Sequence, residues 1–496
     1  MVFSRLRKHH LIRIKKKIRL KFPYIVSSFC LIFLISASLS AFAQTKVWSL
    51  KECIDYALAN NLQVRQQVLT VRSVKEGYSQ SRMNRFPSLY SSSNYGLSSG
   101  KTVDPYSYEF TTENIQSGSF GLNAQVTLFN GLQALNTIRQ NKFLYMAAMS
   151  DADRMRDEIS LTIAQSYMQI LFNEELLEIA KQQHLTIKQQ VEQTRKMVEA
   201  GGLAPGNLLD VEAQEALEAL NVVNALNQLD LSYLQLVQLL EIDSADGFII
   251  EKPVTNNPDT GILSLSPLQI FNLAVSSRPE IKSAEYNLES SIKGLAAAKG
   301  SRYPQLTLSG SIGSGYSDQQ KKISGISITG YDTIGYTVTA PEPVIAPTYS
   351  YSFDNIPFGR QFDDNLNQSV RLNLSIPLFT NWQVKTAVTK AKIVAEQAQY
   401  NLLIARKELF KTISRAHADA KAAMLRYRAS EKAAKAMSES FKYTGEKFNI
   451  GMATSFEYNQ AKTKLGKMQS DLLQAKYDLI FKIKLLDFYR GKSLGF

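Results

Sequence analysis

Two long helical stretches of this sequence, each of more than sixty residues without a proline, end at glycine. Leu132 to Glu199 is followed by Ala200-Gly201-Gly202, and Trp382 to Ile450 is followed by Gly451. Proline breaks helices from within and glycine stops them, so both stretches predict single uninterrupted helices. At 1.5 Å per residue each helix is roughly 100 Å long, far beyond the helices of ordinary globular domains. Helices of this length need neighbours along their whole run, which implies a coiled coil or a helical tube. Ala416, Ala418, Ala420, Ala422, Ala423, Ala429, Ala433, Ala434 and Ala436 crowd one section of the second stretch. Small side chains let adjacent helices approach closely there. Return helices are expected at Asn207–Glu241 and Ser455–Tyr489, completing helical hairpins over 132–241 and 382–490.

The two hairpins belong to a duplication. Ala57 matches Ala274, Val64 matches Ile281, and Phe86-Pro87 matches Tyr303-Pro304, all at an offset of 217. Leu128-Phe129 matches Leu378-Phe379 at an offset of 250, so the second copy carries 33 extra residues between these landmarks. Gly202-Leu203-Ala204 aligns with Gly451-Met452-Ala453 at 249, leaving the long helical segments nearly equal in length. The expected organisation is a first repeat over 44–250, a linker over 251–265 and a second repeat over 266–496. Fixed-period self-similarity of this kind governs the fold and takes precedence over local signals.

Between the landmarks the hydrophobic period changes to two. Phe120, Leu122, Ala124, Val126 and Leu128 alternate with polar or small residues; so do Leu306, Leu308, Ile312 and Tyr316, then Val370, Leu372, Leu374, Ile376 and Leu378. A weaker case follows Pro87. Four strands are expected, at about 88–98, 118–129, 305–316 and 369–379, each with one apolar and one polar face. In an exported chain such strands suit lipid on one side and water on the other. The competing reading is a half-buried sheet of a soluble domain, but no other apolar face is available to cover four such strands. Four strands leave two bare edges, which a membrane does not tolerate, and barrels of this type begin at about eight strands. Closure therefore needs several copies; three give twelve strands. The longer inter-strand segment, Ser317 to Gln368, contains Pro341, Pro343, Pro347 and Pro357 and reads as an exterior loop that absorbs the insert.

The N-terminus supports export. Nine Lys and Arg fall between Arg5 and Lys21, an apolar run spans Tyr24 to Leu39, and Ala41-Phe42-Ala43 follows. This order describes a secretory signal over residues 1–43. The apolar run is short for a membrane span of ~20 residues, and Phe29 before Cys30 is not the small residue a lipoprotein signal requires. Of the formal charge of +13, nine units lie in that segment, which leaves +4 for the remainder. That is a mixed, solvated surface and not a nucleic-acid footprint.

Little in the chain points to catalysis. Beyond the signal the only cysteine is Cys53 and the only histidines are His184 and His417. One cysteine makes no internal disulfide; it lies in the apolar pattern of a short helix and is expected in the core. Neither histidine has a partner at metal-ligand spacing, and both read as helix-surface residues. Metal export is not indicated on the same count. Gly491-Lys492-Ser493 lacks the preceding glycine of a phosphate loop. No cofactor and no enzymatic activity are expected.

The arrangement resembles the TolC-like outer membrane factors, with Phe86-Pro87, Tyr303-Pro304, Leu128-Phe129-Asn130-Gly131 and Pro377-Leu378-Phe379 at the repeat junctions. The resemblance covers essentially all of the chain after the signal. It implies a mixed α/β membrane protein: a homotrimer forming a twelve-stranded outer-membrane β-barrel that continues as a periplasmic α-helical barrel. It implies a passive conduit working with a periplasmic adaptor protein and an inner-membrane pump. In such proteins the hairpin tips dock the adaptor; here these are Gly201, Gly202 and Leu203, and Gly451, Met452 and Ala453. The resemblance also implies a pore constriction near Glu457, Gln460 and Asp210. Glu457 fills the first acidic place of the family's tip pattern, Gln460 replaces the second acid, and Ala453 stands where the family has a base. The first tip, Gly202 to Asp210, reads as the longer of the two. Both acids read as first-turn residues, a location that favours carboxylates without any pore role. A periplasmic coiled-coil adaptor or structural protein is the alternative; it would not need four amphipathic strands.

Overall fold

The computed structural model describes residues 47–103, 108, 110–111, 114–253, 260–492 and 494. The expected signal segment and the middle of the 251–265 linker lie outside the described residues. In chain order the elements of the first half are β1 (Val47–Trp48), α1 (Leu50–Asn60), α2 (Leu62–Met83), β2 (Ser88–Ser98), β3 (Thr102–Val103), β4 (Phe110–Thr111), β5 (Ile115–Asn130), α3 (Gln133–Glu199), α4 (Pro205–Leu239) and β6 (Ile249–Ile250). A short 3-10 turn, Thr260–Ser264, leads into α5 (Pro267–Ala274), α6 (Pro279–Gly300), β7 (Gln305–Ser317), β8 (Lys321–Tyr336), β9 (Pro343–Asn355), α7 (Phe358–Asp364), β10 (Asn367–Ser375), α8 (Gln383–Asn449) and α9 (Ser455–Tyr489).

The duplication is written in element lengths. Both long helices have 67 residues, both return helices 35, and α2 and α6 have 22 each. Local chemistry repeats too. Ser49 and Ser266 open α1 and α5 with capping boxes completed by Glu52 and Gln269, so each start satisfies its own free N–H groups. Each long helix is entered through two successive left-handed residues, Gly131-Leu132 and Asn381-Trp382. At the first junction glycine is required, because a Cβ on Gly131 would overlap the carbonyl oxygen of Gly300 at the end of α6. Asn381 holds the equivalent place, asparagine being a side chain that tolerates this backbone.

Helix α3 packs against α2 and α6 on its sheet-proximal half and against α4 and α9 on its distal half; α8 packs against α6 and α9. Two apolar cores result, related by the repeat. The first gathers Cys53, Ala57, Ile163, Ile170 and Leu236, and the second Ile270, Ala274, Ile413, Ala420 and Leu486, all fully buried. Ile163, Ile170 and Leu236 each stand 250 residues before their counterparts. Cys53 is thus a core residue, as its helical pattern implied. Of the crowded alanines Ala416, Ala420, Ala423 and Ala434 bury, and they set the close approach of α8 to its neighbours. β1 pairs in parallel with β6, and the Tyr167 hydroxyl lies 2.6 Å from the Glu251 carbonyl oxygen and 3.2 Å from that of Trp48. The start of the first repeat is thereby tied to its end.

The four long strands form one antiparallel sheet in the order β2-β5-β7-β10, joined across the repeats by β5 and β7. Register aligns Leu89, Ala124, Gly310 and Val370 on one face, with Val126, Leu308 and Leu372 in another row of the same face. The opposite face carries Tyr90, Asn123, Ser311 and Ser369 in one row. A bulge between Thr127 and Phe129 sets Phe129 opposite Leu306, so Leu128 is the extra residue and drops out of the apolar row that the alternation gave it. β10 ends at Ser375, before Ile376 to Phe379: Pro377 has no N–H to give a ladder.

The segment 317–368 is not an irregular loop. It is an antiparallel hairpin, β8 with β9, followed by α7. Three bulges on β8, at Ser324, Thr329 and Ile334, interrupt its ladder. They keep Ile323, Ile326, Ile328, Tyr331, Thr333 and Tyr336 opposite Phe353, Tyr351, Tyr349, Pro347, Ile345 and Pro343. One face of the hairpin is therefore almost wholly apolar, and the other is mainly serine, threonine, glycine and a few charges, with Val344 and Ala346 towards its tip. α7 folds back on the apolar face of the main sheet, where Phe358 and Phe362 meet Phe120 at ring-centroid distances of 6.0 Å.

Candidate functional site: the hairpin tips and the sheet faces

The tips follow from how the long helices stop. α3 ends with the Gly201 N–H donating to the Val198 carbonyl and the Gly202 N–H donating to that of Met197; α8 ends with the same pair of bonds, Gly451 to Phe448 and Met452 to Lys447. This closing pattern places one residue in the left-handed conformation. That residue is Gly201 (φ +74°) and Gly451 (φ +77°). The structural alignment therefore pairs Gly201 with Gly451 at an offset of 250, where sequence matching paired Gly202 with Gly451 at 249. Both connections are five residues long, Ala200 to Ala204 and Ile450 to Thr454. The first tip is thus no longer than the second: Pro205 and Gly206 already belong to α4, proline being well suited to the first helical position.

The acids fall at different stations. Glu457 lies in the first turn of α9 and closes a capping box, accepting from the Thr454 N–H at 2.8 Å and its hydroxyl at 3.0 Å, while the Thr454 hydroxyl accepts from the Glu457 N–H. The Thr454 N–H, and then its hydroxyl, hold the Glu457 carboxyl below the usual carboxylate range. Asp210 is exposed and sits in the second turn of α4, beyond the first turn where the sequence reading put it. Its counterpart at 250 is Gln460, and the counterpart of Glu457 is Asn207. Of the two candidate acids, Asp210 stands on the first tip and Glu457 on the second, a turn apart, and the helix-end account covers Glu457 alone.

Around these groups the tips present apolar side chains. Met452 and Phe456 are each 74% exposed and Ile450 is 70% exposed, with Leu209 similarly open on the first tip. Leu203 and Ala453 are half-buried. Behind the second tip Tyr458 stacks on Phe448 at 4.9 Å and meets Phe441 at 5.2 Å, and burial pushes its phenol up. The sequence reading missed Ile450 and Phe456; their signal was apolar residues flanking a helix stop, where a solvated turn would carry polar ones. Deeper in the wall, Lys462 of α9 reaches between α3 and α4. It donates to the Gln183 carbonyl at 2.9 Å, and burial pushes its amine down to about 8 against the attraction of Glu218. His184 is not a free surface residue: its Nε2 lies 2.5 Å from Glu215 across the α3–α4 hairpin. His417 is half-buried, with its Nε2 enclosed. Among the described residues no group of His, Cys, Asp and Glu is placed to hold a metal ion, and no helix is long and apolar enough to cross a membrane.

The comparisons with known proteins agree with this geometry. The family model for outer membrane efflux proteins matches residues 53–241 and 270–482, one block per repeat. Among curated proteins none matches the chain in sequence. The outer membrane protein VceC of Vibrio cholerae shares 16% identity at a TM-score of 0.71, over 90% of this chain and 96% of its own. The CmeC outer membrane channel of Campylobacter jejuni shares 16% at 0.67, over 89% and 84%. The open state of the MtrE outer membrane channel of Neisseria gonorrhoeae shares 17% at 0.65, over 89% and 88%. At such identities the likeness is one of fold. The family blocks span both repeats and most of the sequence, and the chain belongs to the outer membrane efflux protein family, an outer-membrane channel subunit with a long periplasmic helical portion.

Proposed function

We propose that three copies of this chain close a twelve-stranded barrel and, below it, a continuous helical tunnel, forming a passive conduit from periplasm to exterior. The observation that carries this reading is that the chain is unfinished on the same two flanks at every level. In the sheet the open edges are β2 and β10. Among the helices, α2 and α4 flank one side and α8 the other. Leu62, Leu69 and Met83 lie exposed along α2, Leu217 and Leu220 along α4, and Ile393, Tyr400 and Ile404 along α8. Apolar stripes at helical spacing need a partner helix. β2 continues α2, and β10 leads into α8, so one rotation about a common axis supplies strand and helix partners together.

In this reading the polar sheet face lines the channel and the apolar face meets lipid. The tips at Gly201, Gly202, Leu203, Gly451, Met452 and Ala453 dock a periplasmic adaptor, which couples the conduit to an inner-membrane pump. Glu457 and Asp210, with Gln460, lie at the narrow end. The chain itself performs no catalysis; transport is powered by the partners. The test is extraction in mild detergent followed by mass measurement. A trimer is expected, and a stable monomer overturns the reading.

A further inference from the structure

From the hairpin β8–β9 we infer an interaction surface whose occupant is the same hairpin of the neighbouring copies: three of them pack apolar face to apolar face over the outer mouth of the channel. The inference rests on the three-copy reading above. Its first ground is exposure. Ile326, Ile328, Tyr331, Tyr349, Tyr351 and Phe353 share one face, and each is about half or more exposed in the single chain. A two-stranded ribbon is marginal in water on its own, and a contiguous apolar face of this length exceeds what a solvated surface normally carries. Something covers it.

The choice of occupant follows from the edges, the charge and the anchoring. Among the described residues both outer edges of the hairpin lack strand partners, and unpaired backbone does not lie in hydrocarbon, which argues against insertion in the bilayer. The apolar face carries a charge only at its root, Lys321, so identical copies meet there without repulsion. The root is also fixed. The Gln361 amide donates to the Ser317 carbonyl at 2.9 Å and the Ile356 carbonyl at 2.8 Å, and accepts from the Ser317 N–H at 2.9 Å. The Asn365 amide donates to the Gly315 carbonyl at 2.8 Å. Each hairpin therefore rises from a set place on β7, and threefold rotation sets the other two. A twelve-stranded barrel is roughly 24 Å across at its strand spacing and tilt, while a hairpin of this length reaches about 40 Å. Three such hairpins meet above the mouth.

The test is cross-linking within the purified protein after removal of the signal segment and with it Cys30, with Cys53→Ala to remove the remaining native thiol. A single Tyr351→Cys lies on the apolar face and Ser350→Cys on the opposite one. Light scattering first establishes the mass of each variant; a monomer here overturns the three-copy reading itself. In trimers, Tyr351→Cys is expected to yield subunit dimers with a short bis-maleimide, and Ser350→Cys none. Trimers of Tyr351→Cys that give no dimers, or that give no more than Ser350→Cys, overturn the inference while leaving the channel reading in place. Labelling of Tyr351→Cys by a lipid-confined maleimide in place of cross-linking assigns the face to the bilayer and overturns it equally.

Discussion

Gly201 and Gly451 stand 250 positions apart and hold the same left-handed backbone, each directly after the C-cap of a 67-residue helix. Neither has an atom within 4 Å of where a Cβ would sit, so conformation alone selects glycine. Alanine at either place is expected to cost about 1–2 kcal/mol locally. Gly202→Ala, at an ordinary backbone angle and in ordinary contact with Met197, is expected to be neutral. Hydrogen exchange at the tips distinguishes the three variants. Gly451→Trp is expected to abolish efflux of a fluorescent dye while leaving trimers intact; normal efflux would count against adaptor docking at this tip.

The sheet faces make opposite predictions for neighbouring residues. Leu372 is on the apolar face and Asn373 on the polar one. Leu372→Arg is expected to destabilise the barrel by about 2–4 kcal/mol, as a charge facing lipid does near the bilayer midplane. Asn373→Arg is expected to leave assembly unchanged and to lower the cation preference of single channels. Reversal of these two outcomes in bilayer recordings and thermal melts would mean the faces are assigned the wrong way round.

Three copies of Glu457 and Asp210 around one axis are expected to favour cations, since a ring of one sign sets selectivity. Glu457→Gln and Asp210→Asn should each reduce it, and planar-bilayer reversal potentials measure the change. If neither variant alters selectivity or block by multivalent cations, the constriction lies elsewhere. The Glu457 carboxyl is held below its ordinary value of 4.5. Its support of the α9 start is therefore complete above that value and lost as pH falls through the lowered one. Thr454→Ala removes the hydroxyl half of the cap and is expected to cost about 1 kcal/mol of helix-end stability.

Lys462 gives a stability test with a defined pH window. Its folded value of about 8 is below the ordinary 10.5, so between these the unfolded chain binds more protons and stability rises with pH. Below 8 the buried charge opposes folding. Lys462→Met is expected to stabilise by about 1–4 kcal/mol near neutrality, as apolar replacements of buried charges often do. The gain should shrink through the window. Melting temperatures across it provide the measurement, and a gain that grows with pH would contradict the burial argument.

The long helices, the four strands and the duplication were legible because each rests on a period sustained over many residues. What failed did so for local reasons. The matching of Gly202 to Gly451 followed side-chain identity, whereas the repeat is kept by the backbone at Gly201. In sequence the hairpin β8–β9 reads as a loop because its bulges space the residues of its apolar face on β8, Ile323, Ile326, Ile328, Tyr331 and Thr333, by alternating threes and twos, which matches neither helix nor strand. Gly325, Gly330 and Gly335 each follow a bulged residue, and that five-residue rhythm was the signal available. On β9, Pro343 and Pro347 obscured the plain alternation of Tyr349, Tyr351 and Phe353. In sequence Asp210 reads as a first-turn residue because Pro205-Gly206 resemble turn residues, whereas proline begins α4.

Equal helices also fix a level. With 67 residues descending and 35 returning in both repeats, a trimer ends in six tips at one height, a flat crown with nearly sixfold rhythm on a threefold body. A docking partner thus meets six similar stations in place of three. Removing one heptad from α3 alone would raise alternate tips by about 10 Å and turn the crown into a sawtooth. A partner seated on all six would then find every second seat out of reach, although each subunit still folded and the barrel above still closed.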